Sequence, residues 1–308
     1  MSPTAFFQQL VNGLTLGGMY ALVALGYTMV YGIIQLINFA HGEVFMVGAF
    51  LGLLALSFAA QLGLEGVAFT LCLAFLVSMV LTSLVGMAIE HVAYRPLRQS
   101  PRITLLLSAV GMSIFLQNLV MLIRSRDLQP FPRIITGGVN IQGVILDYIQ
   151  ILIAVASLVL MLALDLFVNR TRLGQAMRAI AQDMEAAQMM GIDISHVIRL
   201  TFMVGSGLAA AGGIMSGLYY GGIKFDMGFI VGIKAFSAAV LGGIGSIRGA
   251  MLGGFVLGLC ETLLVAFLSA AGVTEAFAYK DVIAFAILIL VLILKPSGLM
   301  GERIVEKV

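Results

Sequence analysis

Residues 66–89 read GVAFTLCLAFLVSMVLTSLVGMAI, a run without a single Asp, Glu, Lys or Arg. About 20 apolar residues suffice to cross the hydrocarbon core of a bilayer as a helix. Inside that core each backbone N–H and C=O must find its partner within the segment, so the run is read as helix. The pattern recurs on both sides. Upstream, residues 1–42 carry no charged side chain, too long a stretch for one span and barely enough for two. It is read as one helix from about Phe6 to about Tyr31, irregular chain through Leu36–Gly42, and then a second apolar run, Val44–Ala60. Downstream come Ile103–Ile123, Tyr148–Leu164 and Leu200–Ile223. Between Gly228 and Val273, the charges Lys234, Arg248 and Glu261 leave runs too short to span one by one. Two spans broken or tilted near their middle fit there, as does a re-entrant hairpin. A last run, Val282–Leu294, spans if extended upstream to about Ala276, and stops at Lys295-Pro296. The expected fold is all-α: a single polytopic transmembrane bundle over residues 1–308 with about eight or nine spans and broken or re-entrant segments.

Composition agrees. Of 308 residues, 61% are hydrophobic and 10% charged, where a soluble domain carries roughly 25% charged residues. That excludes a soluble enzyme, a disordered chain and a nucleic-acid binder. A β-barrel would need alternating segments of about ten residues, and the runs here are long and unbroken. A net charge of +2 gives no electrostatic case for an anionic polymer partner. Cys72 and Cys260 lie inside apolar runs and show neither metal-ligand spacing nor disulfide logic. No basic segment precedes the first run, so insertion is expected to rely on the first helix itself.

Orientation follows the basic residues of the short loops. One loop holds Arg95, Arg98 and Arg102, and another, residues 169–199, holds Arg170, Arg172, Arg178 and Arg199. Two spans separate them, so both face one side, taken as the cytoplasm. The N-terminus is then expected outside and the C-terminal tail, Lys295–Val308, inside, in the cytoplasm. Two Gly-bearing breaks, Asn38–Glu43 before the Gly48/Gly52 helix and Gly245–Ala250 before the Gly253/Gly254/Gly258 helix, are alike in pattern. Paired interruptions of this kind point to a transport pathway and to an internal repeat.

Nothing argues for catalysis. No Lys follows a Gly, so a Walker A phosphate loop is absent, as are a His-Glu-x-x-His zinc helix and a G-x-S-x-G elbow. The loop 169–199 is more informative. Leu173, Met177, Ile180, Met184 and Ala187 recur at helical spacing and form one apolar stripe. Gln175, Arg178, Gln182, Glu185 and Gln188 lie away from it. Gly191 suits a C-terminal cap, and Asp193 or Ser195 can cap the next helix. Spacing alone leaves two readings open: a helix held on the bilayer surface, or a helix that docks into a groove on a soluble partner.

Glu185-Ala186-Ala187-x-x-x-Gly191 resembles the EAA motif of ABC importer permeases, although the Ile-x-Leu-Pro that often ends that motif is missing, Thr201-Phe202-Met203 standing near its place. Further segments resemble the branched-chain amino-acid permease family, LivH type: Tyr27–Gly32, Ile37–Glu43, Val92–Pro96, Gly111–Asn118, Lys234–Phe236, Gly242–Ser246 and Lys295–Leu299. The resemblance implies a bacterial inner-membrane permease subunit, not an enzyme, that moves leucine, isoleucine or valine by alternating access. It implies a homologous second permease of the LivM type, two ATPase subunits and a periplasmic substrate-binding protein. No cofactor is expected on this chain, ATP and Mg belonging to the ATPase subunits. Glu185, Ala186, Ala187 and Gly191, with Arg178 beside them, would form the ATPase-coupling segment.

Charged groups at bilayer depth cost roughly 2.5–3.5 kcal/mol on insertion scales and tend to face protein or water. Asn38, His41 and Glu43 at the first break are therefore candidates for the translocation pathway or its gate. Charge counting places that break near the cytoplasmic surface, where an interfacial turn is the simpler reading. Gln117 and Asn118 are candidates for substrate contact or for interhelical glue. Lys224 and Asp226 read as a loop pair, Lys234 and Glu261 as a pair inside the membrane, and Arg248 as an interfacial anchor. A proton-coupled secondary transporter using His41 and Glu43 as a relay is the alternative, and a passive channel or scaffold a third reading.

Overall fold

The computed structural model describes residues 2–64 and 66–301; the expectation for the tail beyond Gly301 lies outside the described residues. Helix α1 (Pro3–Ile34) is followed by α2 (His41–Gln61) and α3 (Val67–Ile89), which continues through a π turn (Glu90–Tyr94) and a 3-10 turn (Arg95–Leu97). Then come α4 (Arg102–Arg124), α5 (Tyr148–Arg170), α6 (Arg172–Gln182), α7 (Met184–Met189) and α8 (Ile194–Tyr220). The chain closes with α9 (Met227–Gly242), α10 (Ile247–Ala270), a 3-10 turn (Ala276–Tyr279) and α11 (Lys280–Leu294). Among the described residues, 8 helices are long and apolar enough to cross a membrane, and α9 is a shorter apolar helix of 16 residues. At 1.5 Å per residue α9 is about 24 Å long, less than the hydrocarbon thickness. The ambiguous stretch after Gly228 is thus one short helix and one full-length helix, separated at Gly243–Ser246. Neither is broken at its charge, because Lys234 on α9 and Glu261 on α10 neutralise each other at 3.0 Å.

The bundle is built around α1 and α8, both largely enclosed, while α4 and α11 lie at the periphery. Helix α10 runs antiparallel along α1 on a seam of small residues, where a Cβ on Gly254 would stand 2.5 Å from the Ala21 Cα. Small residues permit this close backbone approach, which drives helix association where lipid leaves no hydrophobic effect to do so. Helix α8 packs between α2 and α3. There the Ser78 hydroxyl donates to the Gly48 carbonyl at 2.7 Å and Ser83 to that of Met203 at 2.8 Å, satisfying polar groups between helices.

One end of the bundle carries α6 and α7. The opposite end carries two small antiparallel pairings that the sequence reading did not foresee. Strand β1 (Gln129–Pro130) pairs with β4 (Gly222–Ile223), tying the α4–α5 connection to the end of α8, and β2 (Gly138–Ile141) pairs with β3 (Val144–Asp147). The expected breaks before α2 and α10 are both present, and Gly32 at the end of α1 faces Gly245 in the second break.

Candidate functional site

The α6–α7 segment departs from the single helix expected. Thr171 starts α6 by accepting from the Gly174 N–H at 3.1 Å, and Met177 and Ile180 turn inward. The helix stops at Asp183, whose backbone is extended (φ −156°, ψ 109°) and whose carboxylate accepts from the Ala186 N–H at 2.9 Å. A short acidic side chain that competes for backbone donors favours a cap over a helix interior. The stripe is therefore cut: Ala187 remains buried, but Met184 swings out to 38% exposure. Gly191 adopts φ +83° and closes α7, donating to Gln188 O at 3.0 Å while Ile192 N–H donates to Ala187 O at 3.1 Å. Asp193, not Ser195, caps α8, accepting from His196 N–H at 3.0 Å, while Ser195 accepts from Arg98 at 2.9 Å.

The result is a six-residue helix presenting Glu185 and the side chains of Met189 and Met190, 82% and 83% exposed, at the tip of the bundle. Behind it, exposed Arg178 donates to Asn169 at 3.1 Å and lines a small crevice with Thr28, Gly32, Gly245 and Ile247. Helix α6 thus rests on the end of α1 and on the second break. A push on α7 would reach both.

Asn38, His41 and Glu43 come together in the interior, all but fully buried. After α1 the chain turns back at Gln35 (φ 53°) and re-enters before α2 begins. The Asn38 side-chain oxygen, Oδ1, accepts from Ala40 N–H at 3.1 Å and from the Tyr94 hydroxyl at 2.9 Å. The His41 ring packs edge-on against Tyr27 at 4.9 Å, beside Gly26 and Gly205. Ser113 donates to Glu43 at 3.5 Å. Ser113 sits at the centre of α4, ~16 Å along it from Arg102. The first break therefore does not lie at the helix ends, where charge counting placed it. Charge counting misses this because α1, 32 residues long, overshoots and the chain doubles back without crossing a charge. The same face of α4 carries half-buried Gln117 one turn on, whereas Asn118 is exposed and donates to its own helix at Ile114 O, 2.8 Å. Asn118 is not brought to the cluster.

Ionic groups complete the picture. Lys224 and Asp226 pair at 2.8 Å in the exposed loop after α8. Arg248 grips Asp165 through two hydrogen bonds at 3.1 and 3.2 Å. Buried Glu90 holds Arg98 and faces Arg199 at 4.0 Å. The expected Lys234–Glu261 pair is part of a larger cluster that sequence reasoning missed. Lys234 also reaches Asp281 at 2.6 Å, and Glu261 also accepts from Lys280 at 3.1 Å and faces the Tyr20 hydroxyl at 3.4 Å. The only signal was the Lys280-Asp281 doublet just ahead of the last apolar run. Among the described residues no His/Cys/Asp/Glu group is arranged to hold a metal ion.

A family model described as "Branched-chain amino acid transport system / permease component" matches residues 9–292. The chain belongs to this permease family. Among the relatives of this permease is the high-affinity branched-chain amino acid transport system permease protein BraD of Pseudomonas aeruginosa, 48% identical over 98% of both chains. Another is LivH of Escherichia coli K12, 46% identical over 98% of both chains. In fold the permease is similar to a solved structure described as an inward-facing conformation of a putative metal-chelate type ABC transporter, at a TM-score of 0.50 and 15% identity, with 92% of this chain and 85% of the other covered. The permease is accordingly a multi-pass membrane transport component of an ABC importer, which works with ATPase and other subunits, and not an enzyme. The proton-coupled alternative is not favoured.

Proposed function

We propose that this chain moves branched-chain amino acids, leucine, isoleucine and valine, across the bacterial inner membrane by alternating access. Its single permease domain, residues 1–308, would pair with a homologous second permease of the LivM type. Two ATPase subunits would bind ATP and Mg, and a periplasmic protein would deliver the substrate. The observation that carries the reading is identity close to one half over essentially the whole length of a high-affinity branched-chain amino acid permease.

In this reading the α6–α7 end faces the cytoplasm, the N-terminus is periplasmic and the C-terminus cytoplasmic. The basic residues around that end support the orientation. Residues 169–199 are the coupling loop, and Glu185, Ala186, Ala187 and Gly191, steadied by Arg178, dock on an ATPase subunit. The exposed methionines beside them support this, since flexible thioether side chains suit a protein groove. Asn38, His41, Glu43 and Gln117 line the pathway or its gate, and Asn118, exposed and bonded to its own helix, stands apart from them. The test is reconstitution of the chain with these partners in proteoliposomes. Leucine should accumulate only with internal ATP and the binding protein, and a proton gradient without ATP should drive none. Accumulation driven by the proton gradient alone would refute the proposal.

A further inference from the structure

At the end of the bundle opposite α6–α7, a cavity of about 580 Å³ opens between the ends of α1, α8, α10 and α11. Its size falls within the roughly 300–1,000 Å³ of small-molecule sites. The wall is mostly apolar, with Leu16, Val265 and Phe277 among its residues. The charged groups of the lining are Glu261 and Lys280, with Tyr220 and the amides Gln9 and Asn12 among its other polar residues. Glu261 is fully buried, and its Oε1 receives Lys234 at 3.0 Å and Lys280 at 3.1 Å. Its Oε2 has no hydrogen-bond partner among the described residues. A buried carboxylate oxygen left bare beside a cavity is costly and suits a donor brought by a ligand. Lys280 donates to the Tyr220 oxygen at 3.5 Å, which leaves the phenol proton free to point elsewhere.

We propose that this cavity binds a free zwitterionic amino acid with an aliphatic side chain, its ammonium on Glu261 Oε2 and its carboxylate on Lys280 and the Tyr220 hydroxyl. The aliphatic group lies against Leu16, Val265 and Phe277. This inference rests on the proposed transport of amino acids and adds a site to it. Charge balance selects the class. Lys234 bridges Glu261 and Asp281, at 3.0 and 2.6 Å, and Lys280 meets Glu261 at 3.1 Å, so the two lysines and two carboxylates form a neutral cluster whose cavity-lining members are the pair Glu261 and Lys280. A zwitterion matches that pair and keeps the site neutral, whereas an amino acid with a net charge would leave one charge uncompensated in an apolar setting. In the orientation proposed above the cavity opens outward, where substrate arrives.

The experiment uses the whole importer in nanodiscs, without the binding protein, in a Cys72→Ser, Cys260→Ser background. A cysteine placed in the wall by Ala266→Cys is labelled with a membrane-impermeant maleimide. Millimolar leucine should slow labelling several-fold, and 4-methyl-2-oxopentanoate, which lacks the ammonium, should not. Glu261→Gln should abolish the protection by leucine. Ala266→Trp, which fills the cavity without touching its charges, should abolish leucine uptake while ATP hydrolysis stimulated by the binding protein persists, and it decides the matter even where Glu261→Gln fails to assemble. Absence of protection, equal protection by the oxo acid, or normal uptake with Ala266→Trp would overturn the site. Those results in an importer that still accumulates leucine leave the transport function standing. An unsubstituted importer that accumulates no branched-chain amino acid refutes the function itself.

Discussion

Substitution of Gly191 perturbs the α7 turn without disturbing a neighbour. The residue holds φ +83°, and a Cβ built on it would meet nothing within 4 Å. The cost is therefore purely that of forcing an L-residue into the left-handed region, about 1–2 kcal/mol. That corresponds to about a 5–30-fold loss in the population of the native turn. Asparagine tolerates this region best after glycine, alanine pays the ordinary penalty, and a β-branched valine lies at the upper end. Helix α7 is 6 residues long, too short to persist without its closures at Gln188 O and Ala187 O. ATP-driven leucine uptake by the reconstituted importer should thus decline in the order Gly, Asn, Ala, Val. The amount of chain in the membrane should stay constant, and leucine moved per ATP hydrolysed should fall along with uptake. A valine variant that transports like the unsubstituted chain, or equal losses for asparagine and valine, would refute the reasoning.

Two further outcomes follow from packing. Gly254→Val drives a side chain toward the Ala21 backbone, 2.5 Å from an added Cβ, and should destabilise the α1–α10 seam by about 1–3 kcal/mol, read as a lower Tm in detergent. Gly111→Ala on α4, where nothing lies within 4 Å, should instead be neutral or gain up to about 1 kcal/mol in the same measurement. Glu90→Gln removes the buried counter-ion of Arg98 and should cost up to about 3–5 kcal/mol, less to the extent that Arg98, 20% exposed, finds water; an unchanged Tm would contradict this.

The helices were legible because lipid demands long apolar runs. The run Ile103–Ile123 became α4, Arg102–Arg124, and the choppy region after Gly228 resolved into one short and one full helix. What hydropathy cannot show is depth. Between Gln35 and Ala40 no charge marks the doubling back, so Glu43 looked interfacial although it meets Ser113 at the centre of α4. Nor does helical spacing reveal a cut. The stripe from Leu173 to Ala187 is periodic through Asp183, yet that side chain caps a new helix there. The four-membered ionic cluster was half visible, as Lys234 and Glu261. Nothing in the sequence joined Lys280 and Asp281 to that pair, because only tertiary packing brings α11 against α9 and α10. The small strand pairings carry too few residues to leave a period in the sequence.

The central claim, that α7 takes its drive from an ATPase subunit on the cytoplasmic side, is tested most directly by site-specific cross-linking. Met189→Cys, 82% exposed in the native residue, would be paired with cysteines placed around the groove of the ATPase in a complete, transport-competent importer. The account predicts a cross-link whose yield changes when ATP binds, and protection of the same cysteine from a thiol reagent confined to the periplasm. No cross-link in an importer that still transports, or labelling of that cysteine from the periplasmic side, would contradict it.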